Sequence, residues 1–420
     1  MATPEAVPAQ RVLVMKFGGS SVADADKIRR VAERLVAARR DGRPVVGVVS
    51  AMGKTTDDLV ALAGQVSPRP HPREMDMLLS TGERISAALC AMAIEDLGHR
   101  AVSLTGSQAG IVTDTAHTKA KIVDIRPRRI TEALAEGKIV LVAGFQGVST
   151  AYDVTTLGRG ASDLSAVALA AALGGDCEIY TDVAGVFTAD PRIVPGAHKL
   201  PAVSPTEMLE MAGSGARVLQ LRSVEFARNH GVPIHVRSTF SDAEGTWIRE
   251  DETMEDAIIS GITHTMDEAY VTLTDVPDKP GTAASIFNAV AAAHINVDTI
   301  IQNAVTHGDA DVTFSIPSDE LPLMTDTIEE LCAELGLHWR ADTTAGKVSL
   351  IGAGMKSHPG IAARMFQILA QNGINVRMIA TSPIKVSCVI AREKVERAVS
   401  ALHSEFEQEL AEAQGREIRV

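Results

Sequence analysis

The feature that most constrains the fold is an internal repeat in the C-terminal half of the chain. The first copy contains Pro280-Gly281, Ala283-Ala284, Phe287 and Ile295-Asn296-Val297. At one constant offset, the second contains Pro359-Gly360, Ala362-Ala363, Phe366 and Ile374-Asn375-Val376. Each copy reads as a strand, a Pro-Gly turn, a helix and a second strand. Identities at a single offset indicate one supersecondary unit present twice. The chain is therefore expected to end in two similar α+β modules.

The preceding part of the chain, residues 11–240, alternates between strand-like and helix-like segments. The expected strands are Val12–Phe17, Val45–Ser50, Ala101–Leu104, Ile139–Phe145, Glu178–Thr181 and Ile234–Val236. Asp24–Arg40 has apolar residues at helical spacing, and the almost wholly apolar Asp163–Leu173 predicts a buried helix. This alternation predicts a mainly parallel sheet with helices on both faces, which binds ligands at the carboxyl ends of its strands.

The composition restricts the class of protein. The length of 420 residues predicts two or three domains, and with only 3% aromatic residues the cores must consist of aliphatic side chains. The net charge of −13 argues against a nucleic-acid partner, and no apolar run is expected to cross a membrane. Residues 1–10 are expected to be a frayed start. The isolated cysteines predict small buried residues in a reducing cytoplasm, namely Cys90, Cys177, Cys332 and Cys388.

A glycine pair follows the first expected strand, in Lys16-Phe17-Gly18-Gly19-Ser20-Ser21. Glycines let the backbone approach an anion closely, and the start of the next helix offers free N–H groups. Lys16 adds a positive charge suited to phosphate. A Gly-Gly pair alone is often only a tight turn, but this combination predicts a phosphate-binding loop that is neither a Walker A nor a dinucleotide loop.

Two more motifs lie after strand-like segments. The first, Thr156-Leu157-Gly158-Arg159-Gly160-Ala161-Ser162-Asp163, offers an arginine able to hold a carboxylate with two hydrogen bonds. An alternative interpretation is that Ser162 and Asp163 simply cap the following helix. The second motif is Thr181-Asp182-Val183-Ala184-Gly185-Val186-Phe187-Thr188-Ala189-Asp190-Pro191-Arg192.

Taken in order, these motifs resemble those of the aspartate kinases, in the amino-acid kinase family, from about residue 11 to residue 410. The last two are similar to the family's TTLGRGGSD and TDVDGVYTADPR sequences, and the repeat resembles a tandem pair of ACT domains. A structural repeat that binds no effector is the alternative. The resemblance implies an open, mainly parallel α/β sheet between helices, followed by two ferredoxin-like α+β ACT domains. The implied domains are a kinase domain at 11–245, a linker at 246–265, and ACT domains at 266–342 and 343–420.

The resemblance also implies a reaction, the transfer of the γ-phosphate of ATP to the side-chain carboxylate of L-aspartate. In the family this is the first step of lysine, threonine and methionine biosynthesis. A carboxyl group with a pKa of about 3.9 is already ionised at neutral pH, so no general base is needed. The site must instead neutralise charge and align the reactants. Mg²⁺ is expected to bridge the phosphates, with no protein residue assigned as a metal ligand.

The implied site residues fall into three groups. The catalytic residues are Lys16 and Asp163. The substrate-binding residues are Ser50, Thr56, Glu83, Phe145, Arg159, Gly160 and Ser162. The nucleotide-binding residues are Lys16, Gly18, Gly19, Ser20, Thr181, Asp182, Phe187, Asp190, Arg192 and Arg217.

The ACT pair implies an amino-acid effector. Positions that match threonine-binding residues of related enzymes are Asp278, Gly281, Ala283, Gln302, Asn375 and Val376, and Ser382 is assigned to the same effector site. Lysine is a second candidate effector. Pro383 stands where relatives often carry a glutamate that helps to bind lysine, and proline supplies neither a charge nor an N–H group. Weakened sensitivity to lysine is therefore expected.

Departures from the family pattern leave alternatives open. Ala161 replaces a glycine beside the substrate, so another acidic amino acid in a specialised pathway is a candidate acceptor. Phe187 replaces a tyrosine and Arg217 a lysine, which affects nucleotide binding. A non-catalytic amino-acid sensor is a further alternative, opposed by the intact Lys16, Glu83, Arg159 and Asp163.

Two expectations concern assembly and expression. ACT domains commonly pair across subunits, which implies a homodimer or a larger assembly. Met254-Glu255-Asp256-Ala257 resembles an internal start from which some relatives make a separate regulatory subunit.

Overall fold

The computed structural model describes residues 11–250, 258–304 and 309–414. The proposed internal start at Met254 and the expected frayed start at residues 1–10 lie outside this part of the chain.

The N-terminal region contains two sheets. Its strands are β1 (Leu13–Phe17), β2 (Val45–Val49), β3 (Ala101–Leu104), β4 (Ile111–Thr113), β5 (Ile122–Ile125), β6 (Ile139–Ala143), β7 (Gln146–Ser149), β8 (Val154–Thr156), β9 (Asp176–Thr181), β10 (Ala202–Val203), β11 (Ile234–Ser238) and β12 (Thr246–Ile248). The large sheet has the order β10-β12-β11-β9-β1-β2-β6-β3, and each of these pairings is parallel except β11 with β12. The small sheet has the order β5-β4-β7-β8.

Helices cover both faces of the large sheet. They are α1 (Ala25–Arg40), α2 (Thr55–Val66), α3 (Pro72–Asp96), α4 (Arg128–Ala135), α5 (Ser162–Leu173), α6 (Pro205–Gly213) and α7 (Leu221–His230). Because successive strand residues point to opposite faces, Met15 packs with α1 and α3, whereas Val14 packs with α5 and α7. Two mainly aliphatic apolar cores thus enclose the sheet and fix the position of the edge that carries the loops.

Helix α3 departs from the expectation that no apolar segment is long enough to span a membrane. By length and composition alone it meets that requirement. Its inner face, however, carries Leu79, Ala87, Cys90 and Ile94, which are buried in the protein. A core helix of a globular domain meets the same test, so this feature is weak evidence for a membrane span.

The C-terminal region consists of two antiparallel sheets with helices. Its strands are β13 (Gly261–Thr265), β14 (Glu268–Pro277), β15 (Ile300–Ala304), β16 (Asp309–Pro317), β17 (His338–Asp342), β18 (Ala345–Ile351), β19 (Met378–Ser382) and β20 (Lys385–Ala391). Its helices are α8 (Thr282–Ala292), α9 (Leu321–Leu335), α10 (Ile361–Gln371), α11 (Val395–Glu405) and α12 (Glu407–Gln414). The first module has the strand order β15-β16-β14-β17 and the second β13-β18-β20-β19. This architecture confirms the predicted fold class.

The segment 246–265, expected to be a linker, contributes one strand to the large sheet and one to the second module. Residues 246–248 form β12 of the large sheet, and β13 pairs with β18 in the second module. The polar composition concealed these strands, yet Ile259 and Ile262 are buried in the second module's core. The first module is therefore inserted between the first strand of the second module and the rest of it.

Candidate active site

Lys16 and Asp163 form a buried ion pair at the carboxyl edge of the large sheet. Lys16 lies near the end of β1, and its Nζ is 2.6 Å from Oδ1 of Asp163 in the first turn of α5. The side chains are only 12% and 7% exposed. The other carboxylate oxygen of Asp163 accepts a hydrogen bond from the backbone N–H of Gln220, at 3.1 Å. Asp163 is thus held from two sides and orients the ammonium group of Lys16.

The glycine pair after β1 lies against the loop that follows β2. A Cβ at Gly19 would lie 2.9 Å from the carbonyl oxygen of Ala51 and 3.2 Å from that of Gly53. A Cβ at Gly18 would lie 3.5 Å from Nζ of Lys16. Only glycine lets the two loops approach this closely while leaving backbone exposed beside the ammonium group. The arrangement fits an anion such as a phosphate chain.

Glu83 is a buried carboxylate beside the same loop. It belongs to α3, and its Oε1 accepts a hydrogen bond from the N–H of Ala51 at 3.2 Å. No hydrogen-bond partner of Oε2 is present among the described residues. Burial raises the pKa of Glu83 to about 7. A buried carboxylate with one oxygen unpaired is suited to receive a cationic group such as an amino acid's ammonium.

Phe145 adopts an unusual backbone conformation where β6 ends. Its φ is 68°, in the left-handed region that bulky residues rarely occupy. Its N–H donates to Oγ of Ser165 at 3.0 Å, and its carbonyl accepts from the N–H of Leu157 at 2.9 Å. A Cβ at the neighbouring Gly144 would lie 2.8 Å from Oγ of Ser162. The strained turn therefore packs tightly against the start of α5. Backbone strain of this kind is concentrated at active sites.

Arg159 lies on the surface rather than beside Lys16. Its Nη1 is 2.6 Å from Oδ1 of Asp57 in α2, and both side chains are mostly exposed. The flanking Gly158 and Gly160 have φ values of 94° and 77°, which permit the sharp bend of this loop. Thr56 precedes Asp57 in the first turn of the same helix. The ion pair between Arg159 and Asp57 therefore joins two segments that are predicted to bind the substrate. Ser50 follows β2 and is half-buried.

The two arginines that are predicted to bind the nucleotide also form ion pairs on the surface. Arg192 donates to both carboxylate oxygens of Asp190, which lowers the pKa of Asp190. Arg217 pairs with Asp267, in the turn between β13 and β14. The Thr181 hydroxyl donates to Asp182 at 3.0 Å. Phe187 forms an isolated bridge with Lys199, and Ser20 is exposed beyond the glycine pair.

The residues assigned to an effector lie in both modules. Asp278, Gly281 and Ala283 are exposed around the turn into α8, Gln302 is exposed on β15, and Asn375 and Val376 follow α10. Gly281 and its repeat equivalent Gly360 have the same φ of 101°. Ser382 differs from these residues, because its Oγ lies 3.3 Å from Oε1 of Glu210 in α6 of the N-terminal region.

Comparison with known proteins identifies the family. A model described as the amino acid kinase family matches residues 11–238, and two ACT domain models match residues 270–333 and 348–406. The aspartokinase of Mycolicibacterium smegmatis is 57% identical over 403 residues, covering 94% of this chain and 96% of the relative. The chain belongs to the aspartokinase family.

Solved aspartokinases have the same fold as this one. E. coli aspartokinase III in complex with aspartate and ADP (R-state) has a TM-score of 0.82 at 24% identity, covering 94% of this chain and 100% of that chain. E. coli aspartokinase III in complex with lysine and aspartate (T-state) has a TM-score of 0.71 at 26% identity, covering 94% and 99%. The predicted aspartokinase fold, with its kinase domain and two ACT domains, is thereby confirmed.

Two positions of the site carry no clear signal in the sequence. Ser165 was not assigned to the site, yet its hydroxyl accepts a hydrogen bond from the N–H of Phe145. Gln220 was not singled out, although its backbone N–H holds Asp163 and its side chain packs beside Gly160. The only available signal for Gln220 was its place just before α7, where the first N–H groups of a helix are free.

Proposed function

We propose that this aspartokinase transfers the γ-phosphate of ATP to the side-chain carboxylate of L-aspartate at the Lys16–Asp163 pair. The observation that carries the proposal is the buried ammonium group of Lys16 beside the glycine pair of the first loop. Two anions must meet in this reaction, and a preoriented cation in a water-poor site offsets their repulsion most effectively. Asp163 orients the cation without having to accept a proton.

The acceptor amino acid is proposed to bind between α3 and the loop at 157–160. Glu83 receives its α-ammonium group, because an unpaired buried carboxylate gains most from a cationic partner. Arg159 exchanges its exposed partner Asp57 for a carboxylate of aspartate. Exposed ion pairs contribute little stability, so this exchange costs little. Phe145, Ser162 and Gly160 form the wall of the pocket, with Ser50 and Thr56 at its mouth.

The nucleotide is proposed to bind along the ends of β1 and β9. Gly18, Gly19 and Ser20 would hold the phosphates, and the loop from Thr181 to Arg192 would hold the rest, with Asp182, Phe187 and Asp190. Arg217 joins this set once it leaves Asp267. When bound, Mg²⁺ neutralises phosphate charge. Within the described ranges no group of three or more His, Cys, Asp or Glu side chains converges, so phosphate oxygens and water would supply most of its ligands.

The ACT modules are proposed to bind threonine and to pair with those of a second copy. The outer strands β15 and β19 carry the exposed Ile300 and Ile379 at equivalent positions of the repeat. An outer strand with exposed apolar residues is a ready site for pairing with another chain. Pro383 lies in the turn between β19 and β20, which supports weak binding of lysine. The four cysteines are buried free thiols, which fits a cytoplasmic protein.

Steady-state kinetics with aspartate and its analogues test the proposed reaction. Acyl phosphate is trapped with hydroxylamine, and each acceptor is assayed with and without threonine and lysine. We expect aspartate to give the highest kcat/KM and threonine to inhibit. A higher kcat/KM for another acidic amino acid would favour the specialised-pathway alternative, and the absence of any trapped product would favour a non-catalytic sensor.

A further inference from the structure

Asp76 is a buried carboxylate outside the residues assigned to the site. It lies on the inner face of α3, two helical turns before Glu83, and it is fully buried. Both of its oxygens lie 3.1 Å from the backbone nitrogen of Thr118. Oδ1 accepts from the hydroxyl of Thr156 at 2.5 Å, and Oδ2 lies 2.7 Å from Nδ1 of His117. The carboxylate therefore ties α3 to two other segments of the kinase domain.

The first of these segments is the loop at 116–120, which Asp76 holds in a strained form. Thr118 has a φ of 66°, which a β-branched residue rarely adopts, so surrounding contacts must impose it. Its N–H and the neighbouring His117 ring both point to Asp76. The loop continues to Ala120, whose N–H donates to the carbonyl of Thr156 at 3.0 Å. The loop and the end of β8 thus form one unit.

The second segment begins with Thr156 and continues directly into the loop at 157–160. The guanidinium group of Arg222, in α7, donates to the carbonyls of Leu157 at 2.5 Å and Ala120 at 3.0 Å. Leu157 in turn donates to the carbonyl of Phe145. Two charged side chains, Asp76 from α3 and Arg222 from α7, therefore hold this segment from different helices.

We propose that Asp76 is a positioning residue that sets the distance between the two ends of the acceptor site. Helix α3 carries Asp76 and Glu83, and Asp76 anchors the strand end from which Arg159 extends. Because that strand end is fixed on α3, the distance is also fixed between Glu83, which receives the ammonium group, and the loop at 157–160, which binds the carboxylate. The inference rests on the proposed function, because it assumes that aspartate bridges these two groups.

Two variants test this role. Asp76→Ala removes the whole anchor, and Thr156→Val removes one hydroxyl without changing side-chain shape. We expect KM for aspartate to rise by about tenfold or more in Asp76→Ala and by a smaller factor in Thr156→Val. KM for ATP should stay within about twofold of the wild-type value in both, because the anchor does not reach the β1 and β9 loops. Asp58→Ala, at an exposed position of α2, is the matched control.

Each variant is assayed at a temperature at which circular dichroism shows it to be fully folded. If Asp76→Ala does not fold, Thr156→Val decides the question. An unchanged KM for aspartate in a folded variant would overturn the inference, as would equal changes in KM for both substrates, since a purely structural role predicts no selectivity. Failure of the wild-type protein to phosphorylate aspartate would instead refute the proposed function.

Discussion

The hydroxyl of Thr188 lies 3.0 Å from Nε2 of His403, and this buried contact joins the nucleotide-assigned loop to α11 of the second ACT module. The same hydroxyl accepts from the N–H of His198, and the carbonyl of Thr188 accepts from Ile262 in β13. Burial lowers the pKa of His403, so its ring is neutral at pH 7. A displacement of the module relative to the loop must break the contacts of Thr188 with His403 and Ile262.

Replacing Thr188 by valine should weaken communication between the second module and the nucleotide site. The change keeps the side-chain shape but leaves the N–H of His198 and the ring of His403 without this partner, which costs about 1–3 kcal/mol. We expect a lower midpoint of thermal unfolding and a threonine inhibition constant raised several-fold. Thr206→Val, at an exposed position of α6, is the control. A variant with normal unfolding and normal threonine inhibition would contradict the prediction.

Replacing Lys16 by alanine should abolish most of the turnover while the protein still folds. The variant removes the cation next to the glycine pair, and such groups contribute about 10³-fold or more to phosphoryl transfer. It also leaves Asp163 without its ion partner, so stability falls as well. The measurements are kcat with saturating substrates and the circular dichroism spectrum. Lys27→Ala, on the surface of α1, should keep normal turnover, and near-normal turnover of the Lys16 variant would place the site elsewhere.

The pH dependence of aspartate binding should follow the ionisation of Glu83. Its pKa of about 7 in the free enzyme means that kcat/KM for aspartate falls as the pH drops through 7, since a protonated carboxyl cannot pair with an ammonium group. Glu83→Gln should remove this pH dependence together with most of the activity. Glu95→Gln, at an exposed position of the same helix, should retain the wild-type profile. A flat profile for the wild-type protein would contradict this role.

Glu83 should also affect stability in a pH-dependent manner. Its pKa is higher in the folded protein than in the unfolded chain, so the folded protein binds more protons between about pH 4.5 and pH 7. The free energy of unfolding therefore falls as the pH rises through that range. Glu83→Gln has no charge to bury at this position. The free energy of unfolding of the variant minus that of the wild-type protein should therefore be larger at pH 8 than at pH 4 by on the order of 3 kcal/mol. Urea denaturation at the two pH values measures the difference.

Replacing Ala161 by glycine, the residue usual in the family, should change stability more than activity. Ala161 is fully buried in an apolar cluster with Phe145, Leu157 and Leu164, so its methyl group does not face the open cleft. Losing a buried methyl and gaining backbone freedom should cost about 1–2 kcal/mol. We expect the KM for aspartate to stay within about twofold. Ala135→Gly, at an exposed helix position, isolates the backbone contribution, and a large change in acceptor preference would contradict the prediction.

Six strands of the large kinase sheet could be predicted from sequence, most clearly β2 and β6, which are continuous apolar runs. All six expected strands are present, and the motif loops lie at the carboxyl edge, as parallel topology requires. The small sheet was missed because β4, β7 and β8 have only three or four residues each. Runs of that length show no clear periodicity. The membership of β13 in the second module was missed because pairing between distant segments leaves no local signal.

The site residues differ in how far sequence could place them. Lys16 and Asp163 lie at the ends of elements that topology brings together, so their proximity follows from the fold. The surface pairing of Arg159 with Asp57 depends on side-chain rotamers that no motif specifies. Ser382 was assigned to the effector site through the resemblance to ACT domains, whereas its contact with Glu210 depends on how the second module packs against α6.

The placement of β13 has a consequence for how the regulatory half can be altered. Strands β13 and β18 are antiparallel neighbours with Thr265 opposite Lys347, so the chain leaves and re-enters the second module at the same point. A two-residue turn would close these strands into an ordinary hairpin. Deleting the first module would therefore leave the strand order of the second module unchanged. A truncated chain that begins at Ala345 would instead lack β13, an outer strand of the second module.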